Sequence, residues 1–191
     1  MSINKKFKGE NIMNFDDVIN QRRSIRNYKK TEVIEKREIE QMVEAALMAP
    51  SWKNSETARY YVALSQNYIK MVMECLPEFN QRNSFNAGAF VITTFKKNIS
   101  GFDNEGNPVN EVGQGWGCYD LGLANENFVL KAAQMGYGTL IMGIRDSKKL
   151  REVFTISDSE EVVAVIAVGK AEALPTAPKR RELSEVAKFF E

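Results

Sequence analysis

Three clusters of residues have the types and spacing to bind an anion or a polar heterocycle. The first is Arg22-Arg23-Ser24-Ile25-Arg26, three guanidinium groups and a hydroxyl within five residues. Arginine presents paired donors in a fixed fork, which suits a phosphate or the oxygen-rich edge of a ring. A solvated basic helix end is the plainer reading of the same five residues. The second is Ala49-Pro50-Ser51-Trp52-Lys53-Asn54, where an asparagine amide offers both a donor and an acceptor from a loop; a proline-ended loop with Trp52 packed as core is its plainer reading. The third is Lys179-Arg180-Arg181, beyond a proline-bounded linker, readable as anion contact or as solvated charge.

Composition restricts the chemistry further. The 191 residues contain no histidine, which removes Ser-His-Asp and Cys-His nucleophilic catalysis, imidazole bases and most mixed-ligand zinc sites. Any reaction then belongs to a bound cofactor. Lys and Arg total 26 against 25 Asp and Glu, so a net charge of +1 gives no general attraction to nucleic acid or anionic lipid. Cys75 and Cys118 lie far apart among apolar residues and read as reduced thiols, as in a cytoplasmic protein. No apolar run approaches the roughly 20 residues that span a bilayer.

The elements that must position these clusters follow from periodicity. Phe15, Val18 and Ile19 define a helix ending near Arg22, and Ile39, Met42, Val43, Ala46 and Leu47 a helix over 35–48 stopped by Pro50. Runs 59–64 and 89–95 read as strands, with a helix over 68–76 between them. Residues 98–117 form a polar, glycine-containing excursion whose Gly113-Gln114-Gly115-Trp116-Gly117 lacks dinucleotide-fingerprint spacing and reads as a flexible loop. A helix over 118–135, apolar around more than half its circumference, is expected at the centre. Then come a strand over 139–142, a helix over 148–154, an apolar strand over 162–168, a linker over 171–178 and a last helix over 182–190. The class is α+β, in one domain over residues 14–191. Residues 1–13 read as an N-terminal extension, and 1–12 as a translated leader, because Lys8-Gly9-Glu10 can be encoded by a purine-rich ribosome-binding sequence ahead of Met13.

In order along the chain, Arg22/Ser24/Arg26, Pro50/Ser51/Asn54, the Gly136-Tyr137-Gly138 to Gly143 segment and Lys179/Arg181 resemble the nitroreductase family of FMN-dependent NAD(P)H oxidoreductases. The resemblance covers residues 14 to 191. It departs after Asn54, where many relatives have Gln-Pro-Trp and this chain has Ser55-Glu56-Thr57-Ala58. The resemblance implies a central, mostly antiparallel sheet flanked by helices, in an intertwined homodimer with FMN between subunits. Arg22, Ser24, Lys179 and Arg181 would hold the phosphate, with Arg23 an additional contact. Pro50, Ser51 and Asn54 of the other chain would meet the ring, while Arg26 supports its reduced form and the backbone of Ile141, Met142 and Gly143 runs beside it. NADH or NADPH would deliver electrons to FMN, and a nitroaromatic, quinone or similar flat small molecule would take them in turn. Reductive dehalogenation, reduction of an activated alkene, a flavin-binding redox module without turnover, and a basic binding protein without flavin are the alternatives. Trp116 and Tyr119 are candidates for the pocket lining or for core.

Overall fold

Local signals in the sequence set most of the boundaries. The computed structural model describes residues 13–30 and 34–191, so the reading of residues 1–12 as a leader lies outside the described residues. Helix α1 (Phe15–Gln21) starts at Asn14, whose side chain accepts the Asp17 N–H at 3.0 Å while Asp17 accepts the Asn14 N–H in return. Helix α2 (Lys36–Leu47) buries Ile39, Met42 and Ala46 on one face. Strand β1 (Ala58–Ala63), helix α3 (Gln66–Met73), helix α4 (Glu78–Asn83) and strand β2 (Ala89–Lys96) follow. The 20-residue helix α5 (Gly115–Gln134) leads into β3 (Gly138–Met142), α6 (Ser147–Phe154), β4 (Glu160–Gly169) and the single turn α7 (Leu183–Val186). Helix α6 is capped by Asp146 and stopped by Thr155 in a left-handed conformation (φ 52°).

The sheet has the order β1-β2-β4-β3, and every pairing is antiparallel. Its central strands are apolar on both faces because helices cover both. On one side Val72 and Leu150, from α3 and α6, pack with Phe90, Ile92, Leu140, Met142 and Val165. On the other, Met42 of α2 and Phe128 and Ala132 of α5 pack with Val91, Ile166 and Val168. Each such fully buried side chain contributes roughly 1.5–3 kcal/mol relative to exposure.

Three expectations are corrected. Gly113–Gly117 is not a flexible loop: Gly115 to Gly117 form the first turn of α5, and a Cβ on buried Gly117 would meet the Phe95 ring at 2.3 Å. Close approach to that ring, rather than helix propensity, explains glycine there. The last helix is confined to Leu183–Val186, leaving Phe189 and Phe190 exposed instead of helical. Helix α5 buries one stripe, Leu121, Ala124, Phe128, Val129 and Ala132, and leaves Tyr119 exposed and Leu123 and Leu130 half-buried, so this chain alone does not surround it. Helix α4 was not anticipated in the polar stretch before β2.

A further pairing connects the fold to the site. The segment after α1 extends the sheet beyond β3, with Ser24 bridging Thr139 in parallel and the Ile25 N–H donating to the Thr139 carbonyl at 2.9 Å. It then crosses the end of β4, where the Lys29 N–H donates to the Lys170 carbonyl and Tyr28 bridges Ala171.

Candidate cofactor site

The arginine element and the glycine segment, more than a hundred residues apart in sequence, lie side by side through the bridge between Ser24 and Thr139. Gly138 makes that possible: a Cβ there would meet Ile25 Cγ1 at 2.4 Å. Two residues earlier Gly136, at φ +75°, turns the chain out of α5 in a conformation that disfavours other residues. Ile25, nearly fully buried, anchors the element in the core between half-buried Ser24 and exposed Arg26.

A cavity of about 370 Å³ opens at this junction, with Arg22, Arg23, Lys29 and Lys170 in its wall and Ala133 and Gly136 beneath. No carboxylate lines it, and none of the four cations forms an ion pair with the described residues. The Lys170 ammonium instead lies 3.7 Å from the centre of the Tyr137 ring, held by a cation–π contact. Four basic side chains without acidic partners around one concavity suit an anion with several oxygens. This donor set is compatible with the terminal phosphate of a mononucleotide.

Of the residues singled out from sequence, Arg22 and Arg23 line this cavity, and Ser24 and Arg26 lie on the same element beside it. The Arg26 guanidinium donates to the Ser24 carbonyl at 3.3 Å. On β3, Ile141 is half-exposed and Met142 buried; at exposed Gly143 a Cβ would meet nothing within 4 Å, so the backbone there is open to a flat ligand. Lys179 and Arg181 are exposed on the extended tail, outside the lining of this cavity and without a hydrogen bond or ion pair to the described residues. Pro50, Ser51 and Asn54 sit in a separate loop outside the cavity lining.

That loop is held in an unusual shape. Lys53, Asn54 and Glu56 all have positive φ (48°, 55° and 47°), each costing an L-residue about 1–2 kcal/mol. Bonds on several sides offset this cost. The Ser51 hydroxyl accepts the Glu56 N–H at 3.0 Å, and the Asn54 amide donates to the Glu56 carboxylate at 2.8 Å. Because a carboxylate only accepts, this bond turns the Asn54 NH2 toward Glu56. Beneath the loop, Asp120 of α5 accepts the Trp52 N–H at 3.0 Å and the Ser100 hydroxyl at 2.6 Å. The Trp52 ring packs on Trp116 at 4.7 Å, and Tyr119 meets Trp116 edge-on. Trp116 is thus half-buried packing, while Tyr119 is 60% exposed.

Lys29, Lys170, Asp120 and Ser100 were missed from sequence. Asp120 carried a readable signal, an acidic residue on the helical line continued by Ala124 and Phe128. The lysines carried none, because only the pairing of residues 24–29 with β3 and β4 places them. Among the described residues no cluster of His, Cys, Asp or Glu could hold a metal, and no helix is long and apolar enough to cross a membrane. Burial pushes the Cys75 thiol up, with Asp146 adding to it, and likewise the Cys118 thiol, with Glu161 adding. Neither is an activated nucleophile.

A layered α+β fold with a basic, carboxylate-free cavity at the sheet edge has the donor set for an anionic ligand. The nitroreductase family model matches residues 19–170, and the chain belongs to that family. It is 27% identical over 152 residues to an Archaeoglobus fulgidus protein assigned as an NADH dehydrogenase/NAD(P)H nitroreductase, covering 78% of this chain and 80% of that one. An Exiguobacterium sibiricum protein assigned as a nitroreductase, solved in complex with FMN, superposes with a TM-score of 0.83 at 22% identity, covering 93% and 98% of the two chains. A Staphylococcus epidermidis protein assigned as an NAD(P)H:FMN oxidoreductase gives 0.81 at 21% identity, covering 96% and 99%.

Proposed function

We propose that residues 14–191 form a single FMN-binding domain of an NAD(P)H-dependent oxidoreductase that acts on a nitroaromatic, quinone or similar flat acceptor. The observation that carries this is the acid-free basic cavity where the arginine element meets the glycine segment. The family match and the names of the relatives support the cofactor and the electron donor. FMN, when bound, supplies the redox chemistry by accepting electrons from NADH or NADPH and passing them to the acceptor.

The chain binds and orients in this reading. Arg22 and Ser24 hold the phosphate with Lys179 and Arg181, and Arg23 adds a contact. Arg26, permanently charged, stabilises negative charge on the ring. The backbone of Ile141, Met142 and Gly143 keeps one side of the ring clear of side chains. Pro50, Ser51 and Asn54 of a second copy close the ring's polar edge. A chain without histidine needs no proton-shuttling imidazole in this scheme.

The homodimer has its own support. The tail exposes Leu183, Val186, Phe189 and Phe190 at 66–93%, and Leu47 and Met48 at the end of α2 are 61% and 81% exposed. So much apolar surface calls for cover by another chain.

The test is the absorbance spectrum of the purified protein with FMN quantified per chain, followed by anaerobic addition of NADH or NADPH. Bleaching of the yellow colour and its return with a quinone or nitroaromatic is the expected result. A colourless protein that takes up no FMN refutes the reading.

A further inference from the structure

We propose that Asp120 is the positioning residue that sets where Asn54 is presented to the flavin, an inference that rests on the FMN reading above. Two tethers run from its carboxylate to the loop. The Trp52 N–H, just before the left-handed pair Lys53-Asn54, donates directly to Asp120 Oδ2 at 3.0 Å. Ser100 donates its hydroxyl to the same oxygen at 2.6 Å, and its own oxygen lies 2.8 Å from Ser55 Oγ, just after that pair. With the Ser100 proton committed to the carboxylate, the Ser55 hydroxyl must be the donor, so the chain runs Ser55 to Ser100 to Asp120. Both ends of the strained pair are therefore referred to one oxygen atom on α5.

In this proposal Asp120 acts through the loop. It is 5% exposed and lies under the loop, lining with Ser51, Thr57 and Tyr60 a small cavity of about 30 Å³. Asn54 is exposed on the outer side of the loop, the side on which the FMN reading places the cofactor. No basic side chain pairs with Asp120 among the described residues, so its bonding is directed to the loop and to Ser100. A polar side chain on a buried helical stripe is costly without hydrogen-bond partners, and the two tethers supply them.

The experiment compares binding of FMN and of riboflavin, which lacks the phosphate, to the wild type and to Asp120→Ala, Asp120→Asn, Ser100→Ala and Asn54→Ala. Loss of a ring contact weakens both ligands by the same factor, whereas loss of a phosphate contact weakens FMN alone. Asp120→Ala is expected to weaken both by about tenfold, as is Asn54→Ala, and the double variant to be no weaker than Asn54→Ala alone. Asp120→Asn, which keeps an oxygen where the two donors converge, is expected to restore most of the affinity. Ser100→Ala removes only one tether and gives a smaller parallel loss, so the proposal stays testable even if Asp120→Ala does not fold. Additive losses in the double variant, or a lowered melting temperature with unchanged affinity for both ligands, overturn the positioning role while leaving the FMN reading intact. A wild type that binds neither ligand overturns both.

Discussion

Replacing Gly138 by alanine probes the junction on which the site depends. The added Cβ would sit 2.4 Å from Ile25 Cγ1 and 3.0 Å from Ile25 Cβ, against an optimal carbon–carbon separation of about 3.5–4.0 Å. Ile25 is 1% exposed and β-branched, so its side chain has little freedom to turn away. Relief therefore requires the 24–26 segment to move off β3 by roughly 1 Å, stretching the 2.9 Å bond from the Ile25 N–H to the Thr139 carbonyl. Overpacking of this kind costs about 1–3 kcal/mol, and the displaced arginine element should weaken FMN by about tenfold as well. Denaturant unfolding gives the first quantity and flavin-fluorescence titration the second. Adding Ile25→Ala removes Cγ1, the closest opposing atom, and leaves only Cβ at 3.0 Å, so the double variant should be more stable than the sum of the single losses predicts. Unchanged stability and affinity in Gly138→Ala would refute the assignment of Gly138 as the close-approach position.

Ser24→Ala and Arg181→Ala should each weaken FMN by about 1–3 kcal/mol with little change in the unfolding midpoint, while Arg26→Gln should mainly lower the flavin's reduction potential, checked by titration against a dye of known potential. Burial pushes the hydroxyls of Tyr28 and Tyr60 far above the ordinary tyrosine value, with the Arg26 charge opposing the shift at Tyr28 to a lesser degree. Groups held neutral in the fold contribute stability below their unfolded pKa of about 10 and lose it as pH rises beyond; two of the six tyrosines should therefore ionise only as near-ultraviolet dichroism collapses in an alkaline titration. Cys118, although exposed as a residue, has its thiol pushed up by desolvation and by Glu161, so at neutral pH it should be alkylated by iodoacetamide more slowly than free cysteine, as mass spectrometry would report.

The helices and strands were largely legible because their signals are local. Ile39, Met42 and Ala46 mark the buried face of α2, and the unbroken apolar run of β4 announces a strand covered on both sides. The chemistry-bearing residues were legible by type, since arginine forks, a loop asparagine and the absence of histidine restrict what a site can do. Whether they meet was not. The parallel bridge between Ser24 and Thr139, which creates the basic cavity and recruits Lys29 and Lys170, joins segments more than a hundred residues apart and depends on Ile25 filling the space left by Gly138. The start of α5 was hidden because glycines are poor helix formers, and only packing against Phe95 makes Gly117 the residue that fits. The tail was overread as helix because its apolar spacing over 182–190 is helical, yet a helix that short is held by the surface it packs against, and within this chain Phe189 and Phe190 have none.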